Sequence, residues 1–409
     1  MSMNEHCDSP DLLPIQHALA KMLKQAPALT DFETIDLLEG LNRVLASTIV
    51  SEVNVPPSDN SAMDGYAFFC DVTLAADTEL CVQGQALAGN PFESEVKPGH
   101  CVLITTGAIL PAGTNTVVMQ ENVSTEAQKI ILNTTVRPGN SVRSRGEDIR
   151  KGDKVITKGT KLTPAHLALI ASLGLAKIEV TPKLKVAIIA TGDELVEAGD
   201  SLNDGQIYES NRFALHGLLQ QLNVDIIHYG IIADEPDALK KSLLDAANNA
   251  DVVITCGGVS VGKADYVKQV LQQIGEINFW KVAIKPGKPF AFGKIQDAIF
   301  CGLPGNPVSS YVTFEKLVAP VLNNLMGCKP PRSIPQVALC AEKINKRVGR
   351  ADFQRGIAYQ DNNGILWVKL NGKQGSGIMT SVANANCYIL LEQEQGNVPQ
   401  GAEVKIELF

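Results

Sequence analysis

Several chemistries are missing from this sequence. Its nine cysteines, an odd number, never fall within four residues of one another. That spacing leaves no C-x-x-C zinc or redox motif, and the expectation is reduced, mostly buried thiols. Six histidines are present, and none forms an H-E-x-x-H pair. No apolar run approaches the roughly 18–20 residues of a membrane-spanning helix. Positive charge is in deficit, with 36 Lys and Arg against 44 Asp and Glu and a net charge of −8. A general affinity for nucleic acid needs a positive field and is not expected. An anionic ligand would have to be held by local lysines, backbone amides or a metal. The opening residues 1–14 are polar and acidic, unlike a signal peptide, so the expected location is cytoplasmic.

What is present is an ordinary globular composition. The 409 residues are 45% hydrophobic and 20% charged, enough for two to four domains at roughly 100–200 residues each. Ile15, Ala18, Leu19, Met22 and Leu23 have helical spacing, and Leu38, Leu41, Val44 and Leu45 suggest a second helix. From residue 51 to 142 short apolar runs are broken by Pro56-Pro57, Gly89-Asn90-Pro91, Pro111-Ala112-Gly113 and Pro138-Gly139-Asn140, the texture of a small all-β domain. Thr163 then reads as a helix N-cap, with Pro164 at the first helical position and Gly174 past the end.

After Pro182 strands and helices alternate. Apolar strands are expected at 186–190, 224–232, 252–255, 277–284 and 298–301. Helices are expected after Ser210, from Pro236, over 267–274, and as one long closing run over 308–326. Strands apolar throughout, with helices between them, predict a doubly wound, mostly parallel sheet. Pro330-Pro331 and Pro335 mark a linker, and short strands with turns at Asn371-Gly372 and Gly396-Asn397 follow, as in a small barrel or sandwich. The reading is thus a multidomain α/β protein: an N-terminal helical region (1–50 and 143–182), an inserted β domain (51–142), an α/β domain (183–327) and a C-terminal β domain (328–409).

Ligands of an open α/β sheet sit at the carboxyl ends of its strands. Here those ends read Thr191-Gly192-Asp193-Glu194, Ala233-Asp234-Glu235, Gly257-Gly258-Val259-Ser260 with Asp265 close behind, Lys285-Pro286-Gly287-Lys288-Pro289, and Pro304-Gly305-Asn306-Pro307. Helix capping explains any one of them, because Asp and Gly are common at such turns. All five together point to a site for a phosphorylated anion with a divalent metal.

Gly257, Gly262 and Lys263 match G-x-x-x-x-G-K, but Ala264 stands where a P-loop needs a hydroxyl for Mg²⁺, which excludes a P-loop nucleotidase. The glycine loop can still cradle phosphate with backbone amides. Asp265 is either a carboxylate for Mg²⁺ beside that phosphate or a plain helix cap. Lys281, Lys285 and Lys288 form either an oxyanion clamp or a solvated basic turn. The polar segment 58–66 suits a binding loop as well as a plain turn. Arg137, Arg143 and Arg145 beside Glu147 and Asp148 are best read as ion pairs.

With these motifs in view, the chain resembles the molybdopterin molybdenumtransferases, a family that includes the C-terminal region of gephyrin. PPSDNSAMDGYA (56–67), TTGAILPAGTNTVV (105–118), RGEDI (145–149), TGDEL (191–195), GGVSVGKADYV (257–267), KPGKP (285–289), GLPGNPVS (302–309) and FQRG (353–356) occur in that family's order. The resemblance implies an enzyme that takes adenylylated molybdopterin and molybdate, cleaves the phosphoanhydride with Mg²⁺ or another divalent metal, and releases AMP and molybdenum cofactor. It implies a homodimer with shared active sites and a molybdopterin adenylyltransferase upstream.

Carried onto matching positions, Asp64 and Thr105 would reach the cleft from the β domain. Glu194, Asp234 and Asp265 would hold the metal. Gly257, Gly258 and Ser260 would face the cofactor, with Pro304 and Pro307 shaping the loop. Lys281 and Lys285 would bind anionic groups, and Arg355 and Ser376 would approach from the C-terminal domain. Two other readings remain. A molybdopterin adenylyltransferase is usually one short domain with a GGTG-type loop, whereas this loop reads GGVS and two β domains are attached. A non-catalytic scaffold would not need the acids at Glu194, Asp234 and Asp265, and no low-complexity linker is present to tether partners.

Overall fold

A computed structural model of the chain describes residues 12–258, 266–329 and 334–409. Ser260 and Asp265 lie outside the described residues, as do Lys263, Ala264 and the Pro330-Pro331 pair. At the centre is a six-stranded sheet of β1 (Lys185–Thr191), β2 (Asp225–Ile232), β3 (Val252–Cys256), β4 (Gly275–Lys281), β5 (Pro289–Ile295) and β6 (Ala298–Leu303). Its order is β2-β1-β3-β6-β5-β4. The first four strands in that order run parallel, and β5 is antiparallel to both β6 and β4. The sheet is therefore mixed. The sequence reading missed β5 because KPGKP looks like a loop, yet Phe290, Ala291 and Phe292 behind it are buried. The antiparallel edge brings residues 282–288 to the same carboxyl edge as the other loops.

Burial dictates these strands. Val186 to Ala190 are all 0% exposed, and fully burying such a side chain stabilises by roughly 1.5–3 kcal/mol. Helices α1 (Asn211–Leu222), α2 (Pro236–Asn249) and α3 (Tyr266–Ile274) cover the sheet as the alternation predicts. Two core clusters, one on each face, show the double winding. The closing helix changes pitch along its length. α4 (Pro307–Thr313) and α5 (Ala319–Leu325) flank a π-turn at Phe314–Val318. Pro320 has no N–H to donate and its ring crowds the carbonyl one turn back, so the widened turn absorbs the conflict.

The C-terminal segment closes into a five-stranded barrel. Ala351–Gln360 pairs with both Leu366–Leu370 and Cys387–Leu391, and Gln336–Cys340 and Glu403–Leu408 complete the circuit. The barrel docks on the central domain through strand addition and side-chain contacts. Ile284–Lys285 adds in parallel to the strand at Ala351 and Asp352. Tyr388 of the barrel donates its hydroxyl to Glu315 of the π-turn at 2.5 Å, while Lys316 pairs with Glu407 at 2.7 Å and lies over the Tyr388 ring.

Burial raises the Glu315 carboxyl above its ordinary range, against the Tyr388 hydrogen bond and the Lys316 charge; Glu407 adds to the rise. A carboxyl raised on folding contributes stability below its unfolded pKa, and that stability is lost as pH climbs through the folded value. Glu315→Gln keeps an acceptor for Tyr388 and removes the titration. Urea melts should show the variant gaining on wild type as pH rises above the ordinary glutamate value toward neutral. A constant difference at every pH would refute this account of the contact.

The inserted segment carries a six-stranded sheet with its own two apolar clusters. The N-terminal region departs from expectation. The helix Ile15–Gln25 forms, but Ala18 and Met22 bury into the central domain's core. No second helix follows. Leu37–Glu39 is a single 3₁₀ turn, Asn42 has φ 62°, and Val44 and Leu45 bridge to Lys161 and Val180. A left-handed residue cannot continue a right-handed helix. The rest of this region is small antiparallel pairs, Glu33–Asp36 with Lys177–Val180 and Ile49–Val50 with Lys154–Ile156, plus the helix Pro164–Ser172 capped by Thr163. "Helical" describes it poorly.

Candidate functional site

The sheet order reverses direction at β1: the chain leaves it for β2 on one side and reaches β3 on the other. Such a switch point opens a crevice beyond the carboxyl ends. A cleft of about 430 Å³ lies there, and its walls include Thr191, Gly192, Glu194, Asp234, Gly257, Gly258, Pro304 and Pro307. Six of the residues named from sequence, contributed by four loops, therefore meet in one place.

Glycine is required at the seam between β1 and β3. Gly257 has φ 98°, and a Cβ there would stand 2.6 Å from the Thr191 carbonyl oxygen. The Glu194 carboxylate folds back over Gly192, whose Cβ would meet both its oxygens at 2.8–2.9 Å. Asp193 Oδ1 accepts a hydrogen bond from the Asp234 N–H at 3.2 Å, tying the first two loops together. Asn211 opens α1 and donates from Nδ2 to the Gly305 carbonyl at 2.8 Å, tying in the loop of Pro304 and Pro307.

Two buried oxygens on the cleft wall, Thr191 Oγ1 and Asn211 Oδ1, have no hydrogen-bond partner among the described residues. Buried polar atoms are normally satisfied. With Glu194 and Asp234 they line the cleft with oxygen donors, the ligand type a hard divalent cation takes. Among the described residues no cluster of three or more His, Cys, Asp and Glu side chains stands ready for a metal, so neutral oxygens would have to complete the set. Cys256 also lines the cleft, but burial pushes its thiol up to about 12, which keeps it protonated and a poor nucleophile.

The remaining expected residues are dispersed. Lys281 ends β4 opposite Pro289, which lines the cleft, but its own exposed side chain is not part of the lining. Lys285 does not line the cleft. It pairs with buried Asp352 at 2.9 Å and faces a different cavity against the barrel. Arg355 is 1% exposed. It donates to Ser381 Oγ at 3.0 Å and to the Phe353 carbonyl at 3.1 Å. Its neighbour in this packing is the loop of Ser376, whose carbonyl accepts from the Val308 N–H at 3.0 Å. Arg355 thus braces the loop that Ser376 lays against the cleft wall.

Asp64 is exposed on the inserted domain and accepts from both the N–H and the hydroxyl of Thr106, at 2.7 and 2.9 Å. These bonds hold its carboxyl below the usual range. Thr105 instead accepts from the Ala88 N–H at 3.0 Å. Thr106, beside Thr105, is the partner of Asp64.

Comparison with known proteins finds matches along almost the whole chain. Residues 13–174 match the MoeA N-terminal region (domain I and II), 187–324 the probable molybdopterin binding domain, and 337–409 the MoeA C-terminal region (domain IV). The molybdopterin molybdenumtransferase of Haemophilus influenzae is 46% identical over 400 residues, covering 97% of this chain and 99% of that protein. This chain belongs to the molybdopterin molybdenumtransferase family. The family's protein from Nostoc is 32% identical over 99% of this chain and 95% of its own length. The crystal structure of the molybdopterin biosynthesis moeA protein from Pyrococcus horikoshii OT3 superposes with a TM-score of 0.84, at 32% identity over 98% of this chain and 100% of that one. Among the described residues no helix is long and apolar enough to cross a membrane.

Sequence reasoning did not single out Thr106, which holds Asp64, or the side chains of Thr191 and Asn211 on the cleft wall. It also missed Glu209, 2% exposed, which accepts from the Arg212 N–H at 2.8 Å and steadies the start of α1. Ser210, expected as the cap of that helix, makes no side-chain cap bond.

Proposed function

We infer that this chain is a molybdopterin molybdenumtransferase, and that it takes adenylylated molybdopterin and molybdate and releases AMP and molybdenum cofactor. The observation that carries the reading is the convergence of Glu194, Asp234, the glycine seam and two orphaned oxygens on one cleft, in a chain matched to its relatives over almost its whole length. Cleaving a phosphoanhydride requires neutralised charge and an aligned nucleophile, with little covalent help from protein.

Glu194 and Asp234, with Thr191 Oγ1 and Asn211 Oδ1, would hold Mg²⁺ or another divalent cation, and Asp265 joins them by family resemblance. When bound, the cation neutralises phosphate oxygens. Gly257 and Gly258 leave room for phosphate to approach backbone, since no side chain stands between them and the cleft. Lys281 adds positive charge at the rim. Pro304 and Pro307 stiffen the facing loop, and Arg355 sets Ser376 against it.

The substrate is one that a molybdopterin adenylyltransferase would supply. The reading extends to a homodimer whose two sites are each completed by the Asp64 loop of the other chain. AMP release from adenylylated molybdopterin tests the reaction. Release should depend on added molybdate and a divalent metal; release without molybdate, or none with it, would refute the assignment.

A further inference from the structure

His228 breaks the apolar run of β2, between Ile226-Ile227 and Ile231-Ile232. β2 is the edge strand of the central sheet. Directly after His228 its register on β1 slips: Ile188 pairs with His228, Ile189 pairs with Gly230, and Tyr229 is the extra residue. Gly230 takes φ 74° at this step. Bulges of this kind are common at sheet edges, where they re-aim a side chain. His228 lies two residues after Ile226, which packs into the core on the α1 side, so alternation turns it toward α1.

There α1 supplies a second imidazole. His216 Nδ1 and His228 Nε2 stand 3.0 Å apart, with ring centroids 5.0 Å apart and planes 33° from parallel. His216 is half-buried and His228 is exposed, so solvent reaches the pair. Zn²⁺ holds imidazole nitrogens at about 2.0–2.1 Å. Two such nitrogens on one cation lie about 2.9 Å apart at a right angle and about 3.3 Å apart in a tetrahedron. The observed separation falls between these values. Arg212, one turn before His216, is offset by ion pairs with Glu197 and, at 3.4 Å, with Glu209. Burial, with His216 and Arg212 nearby, holds His228 below the ordinary imidazole range, against the pull of Glu209. A neutral ring keeps a lone pair to give.

We propose that His216 and His228 form a two-nitrogen site for a borderline divalent cation, Zn²⁺ or Cu²⁺, that staples α1 to the edge of the sheet. Imidazole suits these metals, whereas Mg²⁺ takes oxygen. The site is therefore separate from the strand-end cleft and does not rest on the reaction inferred above. In the metal-free pair the N–H of one ring donates to the nitrogen of the other. On binding, that proton moves to the far nitrogen of its own ring, both facing nitrogens give lone pairs to the cation, and water fills the other positions. The staple joins the helix that opens at Asn211 to the strand that leads to Asp234, so it links two elements that carry residues of the cleft.

The test uses full-length protein stripped of metal with a chelator and kept in excess Mg²⁺, which reserves the oxygen-lined cleft. Titration calorimetry should show a saturable Zn²⁺ site in wild type. His228→Asn and, separately, His216→Gln should each weaken it at least about tenfold, the loss that even an outer partner of a metal ligand causes. Cu²⁺ should bind more tightly than Zn²⁺, and its electron paramagnetic resonance spectrum should show splitting from two nitrogens in wild type and from no more than one in either variant. Zn²⁺ should raise the melting temperature of wild type and not of the variants. Both variants should still melt cooperatively in chelator, which shows that they fold. A Zn²⁺ isotherm of either variant that superimposes on wild type, or a two-nitrogen Cu²⁺ spectrum that persists in both, overturns the proposal.

Discussion

Mixing Asp64→Ala protein with Asp234→Ala protein, each inactive alone, should return about a quarter of wild-type AMP release after subunit exchange. The expectation follows from where the two carboxylates stand. Asp234 lines the strand-end cleft, and every described residue on that cleft comes from the α/β domain. Asp64 sits on an inserted sheet with its own apolar clusters, held outward by Thr106. A two-fold dimer can lay the Asp64 loop of one chain over the strand ends of the other. In a mixed dimer one site then carries both lesions and the other carries neither. Random exchange makes about half the dimers mixed, each with one good site of two, hence about a quarter. If each site is built within one chain, every site keeps a lesion and no activity returns. A flat result with exchange confirmed by tagged pull-down would refute the shared site.

The residues that could be read in advance share a physical cause. Strands that are apolar throughout must be buried on both faces, and a parallel sheet gathers their carboxyl ends along one edge. Glu194, Asp234, Gly257, Gly258, Pro304 and Pro307 follow from that rule alone. The misses follow from facts that no spacing encodes. Thr105 and Thr106 are adjacent, and which of them meets Asp64 depends on the way the backbone leaves the strand His100–Ile104. The orphaned oxygens of Thr191 and Asn211 are defined by partners they lack, a tertiary property. The resemblance brings Arg355 toward the cleft from the C-terminal domain, and its burial inside the barrel, bonded to Ser381, is a tertiary property that the motif does not show. Lys285 was grouped with Lys281 by proximity in sequence, but its strand adds to the barrel and carries the side chain to another cavity. Strand β5 was hidden by the Pro-Gly turn in front of it.

Replacing either acid of the cleft should abolish the response to divalent metal while the protein stays folded. In Asp234→Asn the loop keeps its bond to Asp193, which uses the backbone N–H of residue 234. In Glu194→Gln the side chain keeps its size over Gly192. Each change removes one negative charge from a set in which Thr191 and Asn211 are neutral, and hard cations bind weakly where anionic ligands are few. AMP release at a fixed Mg²⁺ concentration should fall on the order of 100-fold, the usual cost of losing one preorganised electrostatic group. A second measurement is independent of turnover. Wild type should gain thermal stability on addition of Mg²⁺ or Mn²⁺, because a ligand that binds only the folded state raises its melting temperature, and each variant should lose that gain. An Asp234→Asn or Glu194→Gln protein that melts like wild type without metal, and still shows the wild-type metal response in both assays, would remove these two carboxylates from the metal site.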